Sequence, residues 1–172
     1  NGSSPLLKMP VNSLLVTPNF VWAGVGDRDG RSSETGIRAR VSLCGTSAWW
    51  EPSHGSDPLF ADLQTKHVTA LDGNTVSGST TTAVVYVYVT TLREVIKGEY
   101  VSGSCASSAP FDCWQFSDVT PSSTYDDFSA VAIEPSDTDH VWVAFGNCIQ
   151  ESTDGGATWS AFGGSCVDDH ED

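Results

Sequence analysis

Among the 172 residues, the side chains best suited to chemistry are carboxylates. Glycoside cleavage needs two of them flanking the scissile bond, about 5 to 10 Å apart. Asp27, Asp29, Asp126, Asp127, Asp137 and Asp139 offer several such pairings. Asp27 and Asp29 are the best placed, because they directly follow an apolar run, yet nothing else selects them. Aspartates beside Gly, Pro and Ser more commonly form turns, through bonds from the side chain to nearby backbone. The segment from Asp27 to Glu34 also spaces oxygen ligands around Gly30 like a shortened calcium loop, with Asp27, Asp29 and Glu34 as candidate ligands. It lacks the full twelve-residue pattern and contains Arg28 and Arg31, so an acidic hairpin loop is the competing reading. His54, His67, His140 and His170 show no zinc-type spacing and read as surface or strand residues. Without a G-x-S-x-G elbow, P-loop or dinucleotide glycine pattern, no nucleophile and no cofactor is expected.

Composition narrows the partners. Eight Lys+Arg against 22 Asp+Glu give a net charge of −14. Phosphate backbones and anionic lipid surfaces are bound by clustered cations, so nucleic acid and membrane surfaces are excluded as partners. The longest apolar stretch, Ala83 to Val89, is far shorter than the roughly 20 residues a membrane helix requires. Five cysteines, one methionine and abundant Ser, Thr, Gly and Asp suggest an oxidising, extracellular or cell-surface setting. Asn1 is not an initiator, so the sequence reads as a mature product or an excerpt, and Asn1-Gly2-Ser3 is a glycosylation sequon. Cys105 and Cys113 bracket a short loop, and Cys148 and Cys166 bracket a hairpin. Each pair is expected to form a disulfide contributing about 2 to 4 kcal/mol. Cys44 is left over, as a buried thiol or as the partner of another chain or segment. Of the six tryptophans, Trp50 lies next to Trp49 and so on the opposite face of a strand, which makes it the candidate for stacking on a sugar.

The elements that would position these residues are short strands. Apolar runs at Phe20 to Val25, Ala83 to Val89, Phe128 to Ile133 and Val141 to Phe145 are each bounded by turn residues, and helical periodicity is hard to find. Asn19 to Asp27 matches Asp139 to Asn147, with Ala83 to Val89 as a looser third copy. Another strand precedes each copy: Leu14 to Thr17, His67 to Leu71 and Ser129 to Ile133. A hairpin ending at Trp49, Trp114 or Trp159 follows each. The unit is four strands over about 45 to 65 residues, the size of one propeller blade. The expected fold is therefore all-β, with about three four-stranded antiparallel blades at 13–52, 63–117 and 118–162 and an acidic tail at 163–172. About three blades fall short of the four to eight of a closed ring, so the ring is incomplete unless copies associate or the chain is longer.

The third unit contains Ser152-Thr153-Asp154-Gly155-Gly156-Ala157-Thr158-Trp159, which fits Ser-x-Asp-x-Gly-x-Thr-Trp throughout. This resembles the Asp-box of bacterial-neuraminidase-type repeats. The first unit keeps Ser42 and Trp49 but has Cys44 in place of the aspartate, and the middle unit keeps little beyond Trp114. The resemblance covers about 13–162 and implies a β-propeller of the broad group that includes sialidases, xyloglucan-type glucanases, sortilin-like receptors and photosystem assembly factors. It also implies that Ser152, Asp154, Gly156, Thr158 and Trp159 have a structural role on the outer rim. Fold does not select function within this group. A sialidase would need three arginines from different blades, whereas Arg28, Arg31, Arg38 and Arg40 crowd one segment and only Arg93 lies outside it.

Together these observations point to a non-catalytic extracellular module that binds glycan or protein or assembles with further copies of itself. The alternative is a fragment of a propeller glycoside hydrolase with paired carboxylates. A segment of a sortilin-like peptide receptor ranks third.

Overall fold

A computed structural model of the chain describes residues 10–16, 20–27, 35–41, 58–74, 86–91, 93–100, 114–122, 127–163 and 166. Its described residues form three open antiparallel sheets. In the first sheet, β1 (Val11–Val16), β2 (Phe20–Val25) and β3 (Gly36–Val41) lie in chain order. After a single helical turn, α1 (Pro58–Leu63), come β4 (Val68–Asn74), β5 (Tyr86–Thr91), β6 (Val95–Tyr100) and β7 (Trp114–Asp118) of the second sheet. The third contains β8 (Phe128–Glu134), β9 (Asp137–Phe145), β10 (Cys148–Ser152) and the two-residue β11 (Ser160–Ala161).

The strands arise where β-branched and aromatic residues alternate with smaller or polar ones. In β9, Val141, Val143 and Phe145 are buried, while His140, Trp142 and Ala144 turn to the other face. Gly146, at φ +50°, then reverses the chain in a two-residue turn that sets Phe145 opposite Cys148.

Two cores hold the sheets face to face. Between the first and second sheets lie Leu15, Trp22, Ile37, Leu63, Val68, Leu71, Val89 and Ile96. Between the second and third lie Val95, Phe128, Ile133, Val141, Val143, Phe145 and Cys148, with Phe128 and Phe145 edge to face at 5.3 Å. Both interfaces are built alike: the first two strands of one sheet meet the first strand of the next, β1 and β2 against β4, then β4 and β5 against β8. Each has a polar tie. The Leu71 N–H donates to Ser13 Oγ (3.0 Å), and the Ile133 N–H donates to Asp72 Oδ2 (2.8 Å).

The all-β expectation holds, and β2 spans the predicted run from Phe20 to Val25. α1 departs from it, since its six residues are too few for a hydrophobic period to register. Leu63 anchors this turn in the first core, and Gly36, at φ +89°, packs directly on the Gln64 backbone. The predicted Trp49 strand and most of the insertion from Asn74 to Thr82 lie outside the described residues.

Candidate functional site

The motif that stands out in the sequence occupies the connection from β10 to β11. Ser152 is buried at the end of β10, and its hydroxyl donates to Asp154 Oδ1 (2.8 Å). Ser152 Oγ also accepts the N–H groups of Asp154 (3.3 Å) and Gly156 (2.8 Å). Asp154 in turn accepts the Thr158 N–H (2.8 Å) and the Thr158 hydroxyl (2.6 Å). Gly155 and Gly156 take the positive φ values, +70° and +92°, that the turn needs. Trp159 packs against the second core, and its indole N–H donates to the Val119 carbonyl (2.8 Å), tying the hairpin to the neighbouring sheet.

The Thr158 hydroxyl, the Thr158 N–H and the Ser152 hydroxyl all favour the ionised carboxylate, and hold Asp154 at a pKa of about 2. A group so firmly ionised has no proton to give near neutrality and is a poor base, so its chemistry is spent on the turn. Because the folded-state pKa lies below the ordinary 3.8, this contribution is complete above about pH 4 and is lost as pH falls toward 2. Thermal melts between pH 5 and pH 2 should therefore fall more steeply for the wild type than for Asp154→Asn. Parallel curves would mean that the hairpin does not depend on the charge.

A second cluster lies on the face of the third sheet that points away from the second. His140 Nδ1 meets Glu134 Oε2 at 2.6 Å, and Nε2 meets Glu151 Oε1 at 2.6 Å. The ring packs on Trp142, tilted by 38° with centroids 4.0 Å apart. An imidazole can donate from both nitrogens only when protonated. The bond to Glu151, and then that to Glu134, raise the His140 pKa, and Ser136 and His140 lower that of Glu134. Both contacts favour the protonated ring, held between two carboxylates. Among the described residues, no group of three or more His, Cys, Asp or Glu is arranged to hold a metal ion. In the sequence, His140 reads as a surface or strand residue. Its partners lie on flanking strands, and only the register of β8, β9 and β10 brings them together.

A cavity of about 280 Å³ opens beside Lys66, His67, Thr91, Arg93 and Glu94. Lys66 bridges Asp62 (2.6 Å) and Glu94, and these two carboxylates raise its pKa against the opposing effect of burial. The pocket's ammonium is therefore already matched by anions.

Of the paired aspartates, Asp27 is half-buried just beyond β2, while Asp29 and Glu34 lie outside the described residues, as do Trp50, Asn1, Cys44, Cys105 and Cys113. Asp137 accepts the Asp139 N–H (3.1 Å) in a local turn, and Asp139 faces Lys97 of the second sheet at 3.9 Å. Cys148 and Cys166 form a disulfide, with Cα atoms 5.1 Å apart. No protein-family model matches the chain, and no curated protein matches it.

Proposed function

We propose that the chain is a non-catalytic, extracellular β-propeller module of the Asp-box type, which binds glycan or protein or assembles into a larger structure. The observation that carries this reading is the repeated stacking of three chain-consecutive antiparallel sheets, each meeting the next through its first strand. Sheets arranged in this way are what propeller blades require. The hairpin from Ser152 to Trp159 supports it, since its aspartate is consumed in the turn and its tryptophan is spent between sheets. The Cys148–Cys166 disulfide fits an oxidising compartment.

The reading is tested by incubating the chain with a panel of polysaccharides and measuring both retention on the immobilised polymer and release of reducing ends. No release is expected, and Trp50→Ala should weaken any glycan retention. Release that disappears in Asp27→Asn or Asp29→Asn would overturn the proposal in favour of a glycoside hydrolase.

A further inference from the structure

Resting on the glycan-binding reading, we infer that the cleft between the turn after β7 and the hairpin from Ser152 to Trp159 is the binding site for one neutral hexose unit of a glycan. The cavity measures about 490 Å³. Sites for small molecules typically span about 300 to 1,000 Å³. Asp118, Thr120 and Ser122 line it on one side, at and just beyond the end of the second sheet, and Gln150, Thr158 and Trp159 of the third line the other. Both walls are held in place by the fold. The Val119 N–H donates to the Val95 carbonyl (2.9 Å), and the Val95 N–H donates to Thr120 Oγ1 (3.0 Å), which pins the turn onto β6. Across the cleft, the Trp159 indole N–H is spent on the Val119 carbonyl, so the half-buried ring is fixed by its edge and contributes an apolar wall.

The chemistry of the lining selects the ligand. Asp118 Oδ1 accepts the N–H (2.9 Å) and the hydroxyl (2.5 Å) of Thr120, which leaves Oδ2 of this exposed carboxylate as an acceptor. The exposed Ser122 hydroxyl can donate and accept, and makes no hydrogen bond among the described residues. The almost fully buried Gln150 adds an amide that carries both kinds of group. Donors and acceptors mixed in this way suit hydroxyl groups, which do both, and the indole beside them suits the carbon-lined face of a sugar ring. No Lys, Arg or His is among the described residues lining the cleft. With Asp118 on its wall and a net charge of −14 on the chain, a carboxylated or sulfated sugar would meet repulsion there and no counter-cation.

The test titrates the full chain with the methyl glycosides of glucose, galactose and mannose and with methyl glucuronide, reading calorimetric heat and the indole N–H signals in NMR spectra. At least one neutral glycoside should bind and shift the indole signal of Trp159, which is identified by its disappearance in Trp159→Phe. Methyl glucuronide should bind about tenfold more weakly or worse. Ser122→Ala removes one exposed hydroxyl, and Asp118→Asn replaces Oδ2 while keeping an oxygen for Thr120. Each should weaken the dissociation constant for the neutral glycoside about fivefold or more. Binding that neither variant changes, or equally tight binding of the glucuronide, would overturn the inference while glycan binding by the chain stands. No heat and no shift with any glycoside would overturn it too, and absence of retention on the polysaccharide panel would then remove the glycan-binding reading as well.

Discussion

Trp22→Ala is expected to destabilise the chain by about 4 kcal/mol in urea denaturation, and Trp142→Ala by only about 1 to 2 kcal/mol. The two indoles hold equivalent positions on their strands, so strand propensity and the loss of ring atoms are matched. What differs is the far side of the ring. Trp22 is almost fully buried among Leu15, Ile37, Val68 and Leu71, and removing it leaves a void that two packed sheets cannot easily close. Trp142 has the His140 ring on one side but no further sheet above it among the described residues. Equal losses for the two variants would contradict the assignment of their faces.

Gly156→Ala should cost about 3 kcal/mol, and Gly163→Ala about 1 kcal/mol. Both glycines have positive φ, +92° and +78°, so both variants carry a comparable backbone penalty. At Gly163 a new Cβ meets nothing within 4 Å, whereas at Gly156 it comes within 2.7 Å of the Val119 Cβ, on the chain just after the second sheet. The extra loss at Gly156 therefore measures how closely the hairpin is pressed against its neighbour. Chemical denaturation of both variants reads the difference directly, and a gap below about 1 kcal/mol would mean that the joint gives way easily.

The extent to which the sequence disclosed this arrangement follows from the range of each interaction. The strands were legible because alternation is local, as in the run from Val141 to Phe145, and so was the turn from Ser152 to Trp159, whose bonds span no more than four residues. α1 was hidden because six residues hold too little periodicity to separate helix from loop. The cluster around His140 was hidden for a different reason. Glu134 and Glu151 lie 6 and 11 positions away, and only the pairing of three strands brings their carboxylates to the two ring nitrogens. The same holds for Asp72 and Ile133, 61 residues apart, whose bond ties the second sheet to the third.

Among the described residues of all three sheets, every strand pairs only with its neighbour in the chain. Backbone pairing is therefore low in contact order, and each sheet can zip up as soon as its own segment leaves the ribosome, without waiting for distant sequence. The slow, long-range part of folding is left to the docking of preformed sheets through Trp22 and Phe128. In a chain assembled in this order, each new sheet covers the forward face of the sheet made before it.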